Sequence, residues 1–195
     1  FSLGNPNVPA PGFIRDAAVD ILMHGDPTEV HGYTIAPGKP AVREVLAADL
    51  KRRFGMEVTG KNLFMTAGAA ASVTITFKAL TEPGDEFVTF APFFPEYRVF
   101  VEACGGKLVV VPAKTDDFQI DLTALERALT TQTKAVIVNS PNNPSGAVCS
   151  EATIRHLADL LRAKEQEYGH PIFIVAAEPY REIVYDGASV PCIPL

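Results

Sequence analysis

Residues 134–146 have the sequence KAVIVNSPNNPSG, which joins a run of apolar residues directly to a loop rich in Asn and Pro. Successive apolar residues without polar alternation are typical of a strand that is covered on both faces in a parallel sheet. In the loop, two X-Pro steps and a glycine favour an extended, turning backbone, and the Asn amides can donate hydrogen bonds to a ligand oxygen. Turn geometry explains some of these residues but does not require so dense a cluster. The stretch therefore predicts a buried strand that ends in a binding loop.

The same pattern of short apolar runs and longer amphipathic stretches continues on both sides of this stretch. It predicts strands at 63–68, 86–92, 107–113, 134–141 and 171–178. It predicts helices at 69–81, 95–104, 121–129 and 151–168. Repeated strand–helix–strand units indicate an α/β fold, a three-layer sandwich with a mainly parallel sheet between layers of helices.

The chain before residue 62 has a different character. Its start is rich in proline, a short helix is predicted near 13–23, a loop through 31–33, and an amphipathic helix over roughly 40–54. We therefore expect two parts, with residues 1–61 as an N-terminal arm with helices and residues 62–195 as part of a large α/β domain. Because the sequence ends soon after its fifth apolar run, we expect that domain to be incomplete.

The bulk composition is that of an ordinary soluble globular protein. The chain has 195 residues, a hydrophobic share of 47%, a mean hydropathy of +0.13 and a formal net charge of −6. Its acidic balance, without a Lys/Arg run, argues against a protein that binds nucleic acid or an anionic membrane surface. No apolar stretch approaches the roughly 18–20 residues of a membrane span. Three widely spaced cysteines without a CxxC pair argue against a disulfide framework or a metal site and favour a reducing compartment, so a cytoplasmic location is expected.

Three further loops follow predicted strands, at the sheet edge where ligands of α/β proteins bind. Residues 66–72, TAGAAAS, form a small-residue turn into a helix, which either admits an anion to unpaired N–H groups or only packs the helix on the sheet. Residues 91–97, APFFPEY, place two phenylalanines between prolines, either as core residues or with one ring presented for stacking. Tyr180 follows the last strand and either offers its hydroxyl to the same crevice or lies at the surface as an amphipathic side chain.

Together the four loops offer a phosphate cradle, a stacking ring, an amide and a phenol. Such a set describes a pocket for a phosphorylated, planar heteroaromatic ligand that bears a hydroxyl group, and pyridoxal phosphate fits this description. A Rossmann-type nucleotide-binding site fits less well, because the chain lacks the GxGxxG fingerprint and its acidic ribose partner.

The sequence closely resembles the fold type I pyridoxal-phosphate aminotransferases of class I/II along essentially its whole length. The motifs that carry the resemblance are HGY at 31–33 with Gly38, TAGAAAS at 66–72, PGDE at 83–86, PFFPEY at 92–97, NSPNNPSG at 139–146 and EPYREIVYDG at 178–187. The resemblance implies the large-domain fold of aspartate aminotransferase and the transfer of an amino group between an amino acid and a 2-oxo acid. It also implies a homodimer with active sites at the interface.

The resemblance further implies roles for individual residues. Those implied to hold the cofactor are Gly68, Ala69 and Ala70 (phosphate, through backbone amides), Phe94 (stacking on the pyridine ring), and Asn143 and Tyr180 (hydrogen bonds to the phenolic oxygen). Tyr33 would reach the phosphate bound by the neighbouring subunit, and Gly4 would lie near the substrate carboxylate.

Two features depart from the family's pattern. Three residues before the tyrosine that matches Tyr180, the family has an aspartate that keeps the pyridine nitrogen protonated, and this chain has Ala177. The alanine is compatible with a natural non-enzyme and with an engineered substitution. Glu178 is adjacent, but alternation along a strand predicts that it points the other way. The lysine to which the family attaches its cofactor lies in a Ser-rich segment that this sequence lacks, so no catalytic residue is nominated. We therefore expect impaired transamination, in a truncated aminotransferase or in a non-catalytic homologue that binds pyridoxal phosphate or a similar anion.

Overall fold

The computed structural model describes residues 7–193. The helices in this range are α1 (Gly12–His24), α2 (Pro27–His31), α3 (Pro40–Phe54), α4 (Ala69–Leu80), α5 (Glu96–Ala103), α6 (Leu122–Ala128) and α7 (Glu151–Tyr168), with a 3₁₀ turn at Gly60–Asn62. The strands are β1 (Glu86–Phe90), β2 (Lys107–Val111), β3 (Thr133–Asn139) and β4 (Phe173–Ala177). None of the helices described is long and apolar enough to cross a membrane.

The chain divides into two compact units. The first takes in the chain up to Asp49 together with Val58–Met65, and the second takes in Leu50–Glu57 and the chain from Thr66 onward. The boundary between an arm and a large domain at residues 61 and 62 stays a prediction.

The second unit is built on a four-stranded sheet in the order β2–β1–β3–β4, in which every neighbouring pair is parallel. Phe87 and Ala135 point to the face that packs against α4 and α5, whereas Val88 and Val136 point to the face that packs against α6 and α7. Helices therefore cover both faces of the sheet. This arrangement confirms the predicted α/β three-layer sandwich and explains why the strands are apolar on successive residues.

Prolines set the lengths of the strands. The predicted strands at 86–92, 107–113, 134–141 and 171–178 are all present but shorter than predicted. The first three stop one or two residues before Pro92, Pro112 and Pro141, and β4 begins two residues after Pro171. Proline has no N–H to donate to a ladder of hydrogen bonds, so it stands at the ends of strands.

Local side-chain chemistry fixes the helix that follows the binding loop. Ser150 caps α7 by accepting a hydrogen bond from the backbone N–H of Thr153 at 3.0 Å. The helix ends at Gly169, whose φ of +78° is a left-handed conformation that glycine adopts at little cost. Both ends of the predicted helix at 151–168 are confirmed.

The predicted strand at 63–68 is wrong. Across residues 7–193 this segment pairs with no strand, and the Met65 N–H instead donates to the carbonyl of Pro37 at 3.0 Å. The side chains of Phe64 and Met65 are exposed. An apolar run indicates a segment that favours burial, but a strand also needs a neighbouring strand to bond with, and the described sheet ends at β2 and β4.

The first unit contains α1, α2 and the start of α3. Helix α2 is not among the predicted elements, although Asp26 and Pro27 form a local start signal: the Asp26 carboxylate accepts from the Thr28 N–H at 2.7 Å, and the proline occupies the first turn. The predicted loop through 31–33 therefore begins after His31. Gly38 has a φ of +93°, and a Cβ there would meet the Met65 side chain at 2.5 Å, so this position requires glycine for both reasons.

Candidate functional site

A cavity of about 160 Å³ lies in the second unit, where the ends of β3 and β4 meet the start of α4. Its lining residues are Ala69, Ala70, Val73, Phe94, Tyr97, Phe100, Asn139, Asn143, Ala177, Pro179 and Tyr180. Loops that are far apart in sequence meet here because the carboxyl ends of parallel strands share one edge of the sheet. The structure thus brings together five of the residues that the sequence singles out: Ala69, Ala70, Phe94, Asn143 and Tyr180.

Asn139, the last residue of β3, ties the binding loop to the neighbouring strand. Its Oδ1 accepts from the backbone N–H of Asn143 at 2.7 Å, and its Nδ2 donates to the carbonyl oxygens of Ala177 at 2.8 Å and Pro141 at 3.2 Å. A second link is made by Asn142, whose Nδ2 donates to the carbonyl of Pro92 at 3.2 Å. The loop after β3 is therefore held both to the end of β4 and to the loop after β1.

The amide of Asn143 and the hydroxyl of Tyr180 are neighbours. Asn143 Nδ2 donates to Tyr180 Oη at 3.2 Å, and both side chains line the cavity. The tyrosine O–H and the second amide N–H are two donors that one ligand oxygen could accept from. This is the pairing that the resemblance implies for a phenolic oxygen.

Phe94 and Tyr97 form the aromatic part of the wall. Their ring centroids lie 5.6 Å apart and the rings meet edge to face at 79°, so the tyrosine fixes the position of the phenylalanine ring. Tyr97 is almost fully buried, and this burial, with a smaller contribution from Tyr180, raises the pKa of Tyr97 to about 12. Its phenol is therefore uncharged at neutral pH.

The start of α4 is the part of the site whose backbone suits an anion. Gly68 precedes the helix at a φ of +84°, a conformation that favours glycine, although a Cβ there would have no neighbour within 4 Å. The first N–H groups of a helix have no partner within it and carry partial positive charge. Ala69 and Ala70 have small, exposed side chains, so an anion can approach these N–H groups closely.

The end of β4 places an apolar side chain in the cavity and directs the adjacent acid elsewhere. Ala177 is 9% exposed and belongs to the core cluster that includes Val73 and Phe77. The Glu178 carboxylate accepts from Arg181 Nη2 at 2.6 Å and from Arg181 Nε at 3.0 Å. Both of these side chains line a different cavity, of about 340 Å³. The predicted opposite directions of positions 177 and 178 agree with this arrangement.

Among the described residues, Gly68 and Tyr33 are predicted site residues that do not line this cavity. Tyr33 belongs to the first compact unit, and its side chain is fully exposed. Gly4 lies outside the described residues. No lysine contributes to the cavity wall among residues 7–193, and no group of His, Cys, Asp or Glu in that range could hold a metal ion.

Asn139 and Tyr97 are polar residues of the cavity wall to which no role of their own is assigned from the sequence. Asn139 stands in the Asn-rich stretch that is predicted to bind a ligand, but its residue type does not distinguish it from Asn142 and Asn143. Tyr97 follows the predicted stacking loop, and only its position on the inner side of α5 shows that it is buried.

A sequence profile of the family described as aminotransferase class I and II matches residues 1–189 of this chain. The chain belongs to the class I and II aminotransferases. Enzymes of this family depend on pyridoxal phosphate.

Individual relatives of this aminotransferase chain agree. A probable aspartate/prephenate aminotransferase from Thermus aquaticus is 34% identical over 95% of the chain and 46% of its own length. An arginine–pyruvate transaminase from Pseudomonas aeruginosa is 33% identical over 97% of the chain and 46% of its own length. The chain therefore spans about half the length of the curated relatives it matches.

Solved structures show the same fold. An amino transferase from Eubacterium rectale is 52% identical, with a TM-score of 0.96 over 98% of this chain and 48% of that one. Aspartate aminotransferase from Thermus thermophilus, in a structure with maleate, is 32% identical, with a TM-score of 0.85 over 97% of this chain and 47% of that one. These matches confirm the predicted aspartate aminotransferase-like fold.

Proposed function

We propose that this protein transfers an amino group between an amino acid and a 2-oxo acid, with pyridoxal phosphate held in the cavity at the ends of β3 and β4. The observation that carries the proposal is the meeting of Phe94, Asn143 and Tyr180 with the start of α4 around one cavity. The family and its dependence on pyridoxal phosphate support it. Because the similar proteins are named for different amino-group donors, we propose no particular amino acid.

The donor set of the cavity fits the cofactor. The N–H groups of Ala69 and Ala70 suit a phosphate, because the first N–H groups of a helix have no partner within it and lie at its positive end. The N–H of Gly68, the third residue implied to hold the phosphate, donates to the carbonyl of Thr66 at 3.0 Å. The amide of Asn143 and the hydroxyl of Tyr180 suit an oxygen substituent on a ring. An aromatic wall beside them suits the ring itself.

The chemistry divides between the cofactor and the chain. When bound, pyridoxal phosphate supplies a conjugated ring that takes up negative charge developing next to the substrate's α-carbon. Phe94, Asn143 and Tyr180 would hold and orient the ring. Asn139 keeps the two polar contacts in register by binding the Asn143 N–H and the Ala177 carbonyl, and the aromatic wall of Phe94 and Tyr97 excludes water from one side of the cavity.

Further contacts are proposed from the resemblance alone. Tyr33 would reach the phosphate bound by the partner subunit of a homodimer, and its full exposure leaves the hydroxyl accessible for such a contact. Gly4 would lie near the substrate carboxylate. A cytoplasmic location is likewise proposed, on the basis of the free cysteines.

We also propose that amino-group transfer by this protein is slow. In the aminotransferases that this chain resembles, an aspartate at the position of Ala177 keeps the pyridine nitrogen protonated, and a protonated ring is the stronger electron sink. Ala177 supplies no charge, and the adjacent Glu178 is occupied by Arg181. A non-catalytic protein that binds pyridoxal phosphate or a similar anion is the second candidate, and the specific observation in its favour is that neither a lysine nor a carboxylate lines the cavity within residues 7–193.

An absorbance titration separates the two candidates. Pyridoxal phosphate is added to the purified protein, an amino acid follows, and the visible band is monitored over time. Transamination predicts a band that the amino acid bleaches, and bleaches faster in Ala177→Asp than in the isosteric control Ala177→Asn. A bound cofactor whose spectrum does not respond to amino acids supports the non-catalytic protein, whereas a complete lack of binding contradicts both.

A further inference from the structure

The cavity at the ends of β3 and β4 is polar without being charged. Its polar side-chain atoms belong to Asn139, Asn143, Tyr97 and Tyr180, and its remaining lining side chains are alanine, valine, phenylalanine and proline. In the described part of the chain, no carboxylate, lysine, arginine or histidine lines this cavity. A ligand here meets hydrogen-bonding groups on one side and hydrocarbon on the other.

The two asparagine amides and the Tyr97 phenol do not become anions at neutral pH. Asparagine amides do not ionise in this range, and burial holds the pKa of Tyr97 at about 12, so its phenol keeps its proton. The side chain of Ala177, which is 9% exposed, closes the cavity at the end of β4 with a methyl group.

The acid nearest to Ala177 in sequence, Glu178, is already paired with a positive charge. It forms two hydrogen bonds with Arg181, and both side chains are mostly buried, with exposed side-chain fractions of 19% and 13%. Arg181 is itself fixed by the carbonyl oxygens of Val190 at 3.1 Å and Pro191 at 2.7 Å, and its guanidinium lies 5.0 Å from the centroid of the Phe54 ring. Glu178 is therefore not available to balance a positive charge in the cavity.

The backbone adds to this asymmetry. The first turn of α4, through Ala69 and Ala70, presents N–H groups and the positive end of a helix to the same cavity. An anion is stabilised at this position and a cation is not. A buried cation without a partner carries a large desolvation cost, so the cavity favours an anionic group at α4 and a ring without charge.

We propose that this cavity selects a planar phosphorylated ring that carries no positive charge, so that pyridoxal phosphate binds with its ring nitrogen unprotonated. The inference rests on the proposed function, because that function supplies the ring. It gives Ala177 a specific consequence: the residue determines the charge state of the bound ring as well as the rate of any reaction on it.

Three phosphorylated rings of the same shape test the inference. They are pyridoxal phosphate, its analogue with C–H in place of the ring nitrogen, and its N-methylated derivative, which is a permanent cation. Their dissociation constants are measured by equilibrium dialysis at neutral pH for the purified protein and for Ala177→Asp and Ala177→Asn. The aspartate and asparagine variants have the same size and differ in charge.

We expect the unsubstituted protein to bind the C–H analogue at least as tightly as pyridoxal phosphate and the cation about tenfold or more weakly, the preference that one pKa unit represents. Ala177→Asp is expected to bind the cation at least tenfold more tightly than Ala177→Asn does. Equal binding of the cation and the C–H analogue by the unsubstituted protein overturns the inference.

Equal binding of the cation by the two variants also overturns the inference, because the discrimination would then be steric. If none of the three rings binds to any variant, the proposed function fails and the inference fails with it. If the rings bind but in the wrong order, only the inference fails.

Discussion

Replacing Asn139 with leucine tests whether one side chain holds the ends of β3 and β4 together. The half-buried amide makes three hydrogen bonds, at 2.7 Å to the Asn143 N–H, 2.8 Å to the Ala177 carbonyl and 3.2 Å to the Pro141 carbonyl. Leucine has a similar volume and can make none of them. The substitution therefore isolates the loss of hydrogen bonding from the loss of packing.

The magnitude follows from the partners that are left behind. A hydrogen bond lost at a partly buried site costs about 1 kcal/mol, so the two shorter bonds and the longer one together predict a loss of about 2–3 kcal/mol in the free energy of unfolding. Asn143→Leu is the matched control. It removes only an exposed side-chain bond of 3.2 Å to Tyr180, for which we expect a loss of about 0.5 kcal/mol or less.

Urea unfolding followed by far-ultraviolet circular dichroism measures both values, since the chain contains no tryptophan to serve as a fluorescent probe. The transition midpoint of Asn139→Leu is expected to fall well below that of Asn143→Leu, with unchanged dependence on denaturant. A loss for Asn139→Leu no larger than that of the control would refute the assignment of Asn139 as the link between the two strand ends.

Two further substitutions test local features of the second unit. Gly68→Ala is expected to lower the free energy of unfolding by about 1–3 kcal/mol. The cost lies in the backbone, because φ is +84° and the added Cβ would meet no atom within 4 Å. The control in the same urea measurement is Gly12→Ala, at an exposed helical position, which is expected to change the free energy of unfolding little. Burial raises the pKa of the Glu86 carboxyl, but hydrogen bonds from Lys107 and Thr130, both at 2.7 Å, and the lysine charge outweigh this and leave the pKa lowered. The resulting stabilisation is present above the ordinary pKa of 4.5 and is lost as the pH falls through the lowered pKa of the folded state. The free energy of unfolding of Glu86→Gln is therefore expected to depend less on pH below about pH 5. An unchanged pH dependence would contradict the stabilising role of the Glu86 carboxylate.

The strands of the sheet are predictable from sequence because burial on both faces leaves a clear signal. Runs such as residues 134–138 are apolar on successive positions, and prolines mark where each ladder stops. The segment at 63–68 carries the same apolar signal but is not a strand, since pairing depends on a neighbour that composition does not reveal. Helix α2 is the opposite case, because it is present although it is not predicted. Its cap at Asp26 is a local signal that apolar periodicity does not reveal.

The candidate site is predictable at the level of loops and less so at the level of single side chains. Parallel topology brings the loops together, so Phe94, Asn143 and Tyr180 meet as expected. The task of Asn139 depends on the backbone path, which alone decides which of three asparagines in one loop faces the neighbouring strand. The significance of Ala177 comes from the resemblance, because an alanine at the end of a buried strand is otherwise unremarkable.

A crystal structure of the protein grown with pyridoxal phosphate would show whether the cofactor occupies the cavity at the ends of β3 and β4. We predict that the phosphate lies within about 3 Å of the N–H groups of Ala69 and Ala70 and that an oxygen on the ring accepts hydrogen bonds from Asn143 and Tyr180. The ring itself is predicted to occupy the cavity between β3, β4 and α4. Electron density for the cofactor at any other place, or none at this cavity at saturating concentration, would contradict the proposal that this cavity holds pyridoxal phosphate.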